Sequence, residues 1–541
     1  MKKHNNNTNT VKINSFSYTI YSQISIKLRK SRIEGRKRQK NRIFVIPKLK
    51  TSTLLYMLSD TAKLKNTSKN SFGKLTSSII QNFENIVGKE HVLTDDKNRN
   101  IYSKDHTEDY SFLPDVILKP KTPQEISEIM KICNAHILPV TPRGGGTSLS
   151  GGALPTNHGV VISMERFDKI IEIDTLNLQA TVETGVITEV FQNAVKEKNL
   201  FYPPDPASKG SCFIGGNVSH NSGGPKAVKY GVTRDYVLNL EVVLPTGEII
   251  WTGANVLKNS TGYNLTQLIT GSEGTLGIVT KIVFKLRPYP HKNIALLIPF
   301  QSNEEACRAI SAIYIAGITP SGMEFMEREA IERTAFYLED KMNQKTNIDL
   351  PDNIQAHLII ELDGNNEEMI MQDAEKIVET LEGNFKIGEI LFADSEAQKE
   401  ELWRLRKNIS PAVNAYSLTK AEDVVVPRGN LPELIISIKK IGEKYGFRSV
   451  CFGHVGDGNL HVNILKEQIS EQDWNTKVVD GIGEIFKEVV RLGGMLSGEH
   501  GIGIAKRPYM SIALGDVNLR LMREIKKVFD PNGILNAGKI F

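Results

Sequence analysis

Two short segments hold the residues best equipped for chemistry. The run Phe452-Gly453-His454-Val455-Gly456-Asp457-Gly458-Asn459-Leu460-His461-Val462-Asn463 places two imidazoles on either side of a Gly-Asp-Gly turn. Near the C-terminus, Gly498-Glu499-His500-Gly501 adds a carboxylate and a third imidazole. Two imidazoles and a carboxylate leave coordination positions open on a divalent cation, which is the pattern of a catalytic rather than a structural zinc site. His454, His461 and Glu499 are therefore the candidate ligands, with His500 beside them as a base. Hydrolysis and redox chemistry can both be built on such a cluster.

For the two histidines to meet, 448–454 and 460–464 must be strands joined around the glycine turn. Alternation then puts His461 and Asn463 on one face. Upstream, hydrophobic periodicity predicts a strand over 292–300, a helix over 303–316, strands over 322–327 and 355–363, a helix over 366–381 and a strand over 386–392. That order is the split β-α-β-β-α-β arrangement and implies a mainly antiparallel sheet.

A different pattern precedes Pro288. Asp115-Val116-Ile117-Leu118 reads as a buried strand, and Thr122-Pro123-Gln124-Glu125 as a capping box with proline at the first helical position. Ile126, Ile129, Met130 and Cys133 then fall on one helical face, and Leu138-Pro139-Val140-Thr141 supplies the next strand. This βαβ unit ends in Arg143-Gly144-Gly145-Gly146-Thr147-Ser148-Leu149-Ser150-Gly151-Gly152, where backbone N–H groups can converge on phosphate oxygens. The loop is neither the Rossmann GxGxxG, since Leu149 stands at the third glycine position, nor a P-loop. Two more glycine-dense stretches follow. One runs from Pro204-Asp205 through Gly215-Gly216-Asn217 and Ser222-Gly223-Gly224 to Tyr230-Gly231, and the other is Gly271-Ser272-Glu273-Gly274-Thr275-Leu276-Gly277-Ile278, leading into a strand that ends near Leu286. Three such stretches suit a large, flat, phosphate-bearing cofactor.

Their succession, with a hairpin over 240–250 between the last two, resembles the FAD-binding domain of the vanillyl-alcohol oxidase (PCMH-type) superfamily. Within it, the D-2-hydroxyacid dehydrogenase branch is most similar: D-lactate dehydrogenase, D-2-hydroxyglutarate dehydrogenase and the FAD subunit of glycolate oxidase. The resemblance covers roughly residues 80–541. It implies an α+β fold, with a PCMH-type FAD-binding domain of two α/β subdomains (75–288), a ferredoxin-like cap domain with an antiparallel sheet (289–505) and a C-terminal segment (506–541, containing Asn536) that returns to the FAD domain. It also implies that the three stretches hold FAD, with Gly145 and Ser148 standing where the family has Ala and Gly. The first loop has no histidine or cysteine for covalent attachment, so non-covalent FAD is expected, although Cys212 and His220 lie in the second stretch.

By the same resemblance, His454, His461 and Glu499 bind a divalent metal, usually zinc. His500 takes the hydroxyl proton while the C2 hydride of a D-2-hydroxy acid passes to flavin N5. Arg406 and, four residues on, Ser410 match the family's carboxylate clamp, a task suited to a guanidinium. Asn463 would also contact substrate. Lys420 corresponds to a family substrate lysine, with one extra residue before Asp423. Two alternatives stay open: the ether-lipid synthase of the same superfamily, a transferase without net oxidation, and a metal hydrolase whose glycine stretches are structural turns.

Composition bounds the setting. The net charge of +5 hides an asymmetry, because residues 1–50 carry fourteen Lys or Arg against one acid and the remainder is near −8. A mildly acidic body argues against nucleic-acid binding. Residues 1–70 read as a disordered extension. The alternatives for it are a mitochondrial transit peptide, a tail for RNA or a membrane surface, or an upstream extension with the natural start at Met57, the last being favoured. Four scattered cysteines supply no iron–sulfur ligand set. Electrons must therefore leave to an external acceptor: a quinone, a cytochrome, an electron-transfer flavoprotein or an iron–sulfur subunit, with direct use of oxygen the less favoured alternative. A reducing, cytoplasmic setting is expected, peripheral to the inner membrane at most, with no spanning segment. A homodimer is compatible with all of this.

Overall fold

In a computed structural model of the chain, residues 72–107, 110–346 and 350–541 are described. The basic extension of residues 1–70 lies outside them. Among the described residues no helix is long and apolar enough to cross a membrane.

The first sheet contains β1 (Val92–Leu93), β2 (Val116–Leu118), β3 (Val140–Arg143) and β4 (Val160–Ser163), in the order β1-β2-β4-β3. Strands β2, β4 and β3 are parallel. All three residues of β2 and all four of β4 are buried, as expected of a parallel strand covered on both faces. Helix α1 (Pro123–Ala135) connects β2 to β3 and packs Ile126, Ile129, Met130 and Cys133 inward. Its Thr122 cap accepts from Glu125 N at 3.2 Å. The reciprocal half of the expected capping box is displaced by one residue, because Glu125 Oε2 accepts from Lys121 N instead of Thr122 N. The chain's end adds to this sheet. Asn536 N donates to Val140 O, and Val140 N donates to Ile534 O.

A second, antiparallel sheet orders β5 (Ile170–Asp174), β6 (Gln179–Glu183), β7 (Val237–Val243), β8 (Ile249–Trp251) and β9 (Ile278–Lys285) as β5-β6-β9-β7-β8. The expected hairpin is β7–β8. Helix α2 (Ile214–His220) carries the second glycine stretch.

The third sheet has seven strands: β10 (Lys292–Phe300), β11 (Gly322–Glu327), β12 (Ala356–Gly364), β13 (Leu391–Ala393), β14 (Thr419–Val425), β15 (Arg448–Gly453) and β16 (Asn459–Leu465). Their order is β13-β10-β12-β11-β15-β16-β14, and every pairing is antiparallel. The first four keep the arrangement of the split unit, with its first and third strands adjacent at the centre. Three further strands extend it. The last strand of the unit is shorter than the expected 386–392. Phe385, Ile387 and Ile390 pack onto the core; Ile387 makes a single bridge to Phe300 of β10, and continuous pairing along β10 is confined to 391–393.

Helices α3 (Asn303–Ile315), α4 (Arg328–Met342), α5 (Glu367–Glu382), α6 (Glu396–Lys407) and α7 (Ile409–Tyr416) cover this sheet. Helix α4 is additional to the expected elements, although its buried Ala330, Ile331, Thr334 and Leu338 have helical spacing. Alternation on β10 sorts the two faces. Ile294, Leu296 and Ile298 join the core with α3 and α5, whereas Ala295 and Leu297 join the one with α4, α6 and α7. The second face also carries a row of directly opposed residues, Asp423, His461, Phe452 and Met326, across β14, β16, β15 and β11.

The β15–β16 connection is a 3₁₀ turn, Val455–Asp457, closed by Gly458 at φ 89°. A Cβ on Gly458 would stand 2.0 Å from Val426 O. Gly458→Ala combines that overlap with left-handed strain and should cost about 2 kcal/mol or more, seen as a lower urea midpoint. An unchanged midpoint would mean that the turn relaxes without penalty.

Candidate active site

The decorated face of the seven-stranded sheet looks into a cavity of about 1410 Å³. Its other walls are the glycine stretches. Arg143, Gly144, Gly145, Gly146, Thr147 and Ser148 line it, as do Asp205, Gly215, Gly216, Asn217, Ser222, Glu273, Gly274, Gly277, Ile278 and Asn536. The cavity exceeds the ~300–1,000 Å³ of ordinary small-molecule pockets. A Cβ on Gly216 would meet nothing within 4 Å. A long, flat cofactor with a pyrophosphate therefore fits these loops. Gly145 has a separate reason to lack a side chain, since its Cβ would lie 2.5 Å from Ser211 O.

Several expected cofactor residues have other positions. Pro204, Gly223, Gly224, Tyr230 and Gly231 are outside the lining. Tyr230 donates its hydroxyl to Asp363 Oδ1 at 2.7 Å, and a Cβ on Gly224 would sit 2.3 Å from Asp205 O, so both serve packing. Arg143 lines the cavity but folds back, with its guanidinium over the Tyr102 ring at 5.4 Å. Glu273 directs its carboxylate to the loop that follows His500, accepting from Ile502 N and Gly503 N at 2.7 Å each.

The metal candidates converge. His454, His461 and Glu499 offer ligand atoms that all lie within 4.8 Å of one another. Glu499 Oε1 is 3.3 Å from His454 Nε2 and 3.8 Å from His461 Nε2. Asp423, His461 and His500 form a second such group. In that group, however, Asp423 is already committed. Its Oδ2 accepts from Ser497 Oγ and from the N–H groups of Gly498, Glu499 and His500 at 2.9–3.0 Å, and its Oδ1 accepts from Asn459 Nδ2 at 2.6 Å. The His454–His461–Glu499 set has the better donors.

Electrostatics point the same way. Burial alone would lower the His454 imidazole, but Glu324 and Glu499 outweigh it and hold it well above its usual value. Burial, reinforced by His454, pushes His461 down to about 3. Glu499 is held at about 2, burial being overcome chiefly by His454. A positive charge is thus favoured between these carboxylates. A divalent cation fits that demand.

His500 stacks on His461, with ring centroids 5.3 Å apart and planes 11° apart, and its Nδ1 is buried without a hydrogen-bond partner. Burial, which favours the neutral ring, lowers its pKa and outweighs the opposing pull of the Asp423 carboxylate. Ser150 Oγ, in the first glycine loop, donates to His500 O at 2.9 Å. Arg406, Ser410 and Asn463 line the same cavity. Lys420 does not. It lies on the opposite face of β14, with its Nζ 4.8 Å from the centre of the Trp474 ring, so the expected substrate contact is corrected to a packing one.

Glu324, Asp423, Ser150 and Lys506 were not anticipated. Glu324 is fully buried, accepting from Arg406 Nε at 2.7 Å and lying 2.7 Å from His454 Nδ1. Lys506 Nζ donates to Asp423 O at 3.3 Å. An acid among the apolar residues of Gly322-Met323-Glu324-Phe325-Met326 was the available signal for Glu324.

Residues 114–253 match an FAD binding domain, and residues 289–540 match the C-terminal domain of FAD linked oxidases. The chain is 39% identical to glycolate oxidase subunit GlcD of Bacillus subtilis, over 86% of this chain and 97% of that protein. It is 37% identical to a D-lactate dehydrogenase of Anaerostipes hadrus (87% and 98%) and 34% identical to a D-2-hydroxyglutarate dehydrogenase of Stutzerimonas stutzeri (86% and 98%). Among solved structures, p-cresol methylhydroxylase shares the fold, with a TM-score of 0.71 at 19% identity over 88% of this chain and 98% of that one.

The Asp423 carboxylate is held well below its ordinary value, because His500, Lys506, His461 and the backbone donors outweigh burial. A depressed carboxylate contributes stability above its unfolded pKa of about 3.9 and loses it as pH falls through the folded value. Asp423→Asn should therefore lower stability at pH 7 by about 3 kcal/mol and flatten the acid limb of the stability–pH curve. An unaltered acid limb would remove Asp423 from that role.

Proposed function

This chain belongs to the FAD-linked oxidase family and is an FAD-dependent oxidoreductase, and on that basis we propose that it oxidises a D-2-hydroxy acid to the 2-oxo acid with the help of a divalent metal. D-lactate, glycolate and D-2-hydroxyglutarate are the candidate substrates. The carrying observation is that His454, His461, Glu499, His500 and Arg406 all line the cavity walled by the glycine stretches. Family membership sets aside the metal hydrolase, which required those stretches to be structural turns. We also read residues 75–288 as the FAD-binding domain, 289–505 as the cap and 506–541 as the returning segment.

FAD, when bound, accepts the two electrons of the oxidation, and a divalent cation, zinc being suited to this donor set, would lower the pKa of the substrate hydroxyl. Within the chain, Arg406 holds the substrate carboxylate, with Asn463 and Ser410 as further polar contacts. The neutral His500 accepts the hydroxyl proton. His454, His461 and Glu499 are the metal's ligands. The Phe452 ring, 5.0 Å from the Arg406 Cζ, keeps one face of the clamp dry. The electrons then pass to an external acceptor.

His500→Asn should purify yellow, with FAD bound, yet lose anaerobic bleaching by any of the three acids. Loss on the order of 10²–10⁴-fold matches removal of a general base, and undiminished bleaching rules His500 out. Native protein bleached by one of these acids also excludes the ether-lipid synthase chemistry, which has no net oxidation. Removing metal with a chelator should abolish turnover, and Zn²⁺ or another divalent ion should restore it. Full activity in metal-free protein defeats the ligand assignment.

A further inference from the structure

Glu324 sits in the middle of β11 with no solvent exposure, at a position where a lone carboxylate would be costly. Its two oxygens are divided between two different partners. Oε1 lies 2.7 Å from His454 Nδ1, and Oε2 accepts from Arg406 Nε at 2.7 Å. We propose that Glu324 is a positioning residue that couples the metal site to the substrate clamp, so that occupancy of one changes the affinity of the other. The proposal rests on the reading of His454 as a ligand and Arg406 as the clamp.

The chemistry on each side of Glu324 is specific. With Nδ1–H donating to Oε1, a neutral His454 keeps its lone pair on Nε2, the nitrogen that faces Glu499 at 3.3 Å. With Nε–H donating to Oε2, the Arg406 guanidinium is fixed in plane and leaves its two terminal nitrogens for another carboxylate. Phe452, at 5.0 Å, holds the same guanidinium from one face. The two partners come from different elements. Arg406 lies in the last turn of α6, and His454 follows β15.

A carboxylate is one rigid plane. Within a buried strand it cannot rotate toward one partner without moving away from the other. A cation on His454 Nε2 makes the Nδ1 proton a stronger donor and draws the Glu324 charge to that side, which loosens its hold on Arg406 and frees guanidinium charge for the substrate. The converse follows by linkage, since a coupling free energy is reciprocal. The contrasting possibility is that Glu324 merely neutralises two buried cations, in which case the two partners contribute independently.

Metal affinity of the FAD-loaded protein, measured by competition with a chromophoric chelator for Zn²⁺, separates these cases. Glu324→Gln should weaken binding by about 10–100-fold, the usual effect of losing a carboxylate behind a histidine ligand. The decisive measurement is a double-mutant cycle with Arg406→Met, which removes the guanidinium while keeping the length of the side chain. Coupling predicts that Arg406→Met shifts Zn²⁺ affinity by about fivefold or more in the native background and by less than about twofold beside Glu324→Gln. Equal shifts in both backgrounds, or none in either, overturn the coupling while leaving the metal assignment intact. Native protein that binds no Zn²⁺ overturns that assignment and the coupling together. If Arg406→Met fails to retain FAD, Arg406→Gln carries the same cycle.

Discussion

The buried carboxylate of Asp423 is the constraint on which the rest of the site depends. Through Oδ2 it gathers three consecutive backbone N–H groups and the Ser497 hydroxyl, and through Oδ1 it takes the Asn459 amide. One side chain thereby fixes the turn that carries Glu499 and His500 and the start of the strand that carries His461. Bonds to an ionised acceptor are roughly twice as strong as neutral ones. Losing the acceptor would leave several buried donors unmet at once. The location is equally important, because Asp423 stands directly opposite His461 in the sheet. Strand register and turn geometry are set from the same residue.

A second set of bonds ties this turn to the cofactor loops. Ser150 holds His500 O, and its own carbonyl accepts from Ile504 N. Glu273, at φ 52°, holds the N–H groups of residues 502 and 503, while Asn536 Nδ2 donates to Glu273 O. His500 is thus fastened from the sheet side by Asp423 and from the glycine-loop side by Ser150 and Glu273. His500 and the glycine loops share backbone anchors, so their separation is set by hydrogen bonds and does not rely on contact with a ligand.

Much of this was legible in the sequence where chemistry and local pattern coincide. Two histidines around a glycine turn, a Glu-His pair and three glycine stretches announce themselves by residue type, and the cavity brings them together. Alternation correctly put His461 and Asn463 on one face. The same parity argument, applied to Lys420 and Asp423 three residues apart on one strand, would have placed them on opposite faces, and the family match pulled Lys420 the wrong way. Glu324 and Asp423 were illegible as organisers because their meaning lies in pairings with His454, 130 positions away, and with residues 497–500, more than 70 positions away. Glycines such as Gly224 look like cofactor glycines in sequence, yet are required by close backbone packing. Helix α4 escaped because two clear strands on either side of it already completed a familiar motif.

A sheet face is also a lattice of interchangeable positions. The row from Asp423 to Met326 and the parallel one through Ala421, Asn463 and Val450 are spaced by strand pairing and not by the side chains they present. Two small residues occupy this lattice near the chemical groups: Ala421, opposite Asn463, and Gly322, opposite Glu361 and close to Trp403. Exchanging Ala421, which lines the cavity, for a larger residue would reshape the room left for a ligand. In an evolving lineage, the choice of side chain to be accommodated can therefore drift at such a position while His454, His461, Glu499 and His500 stay in register.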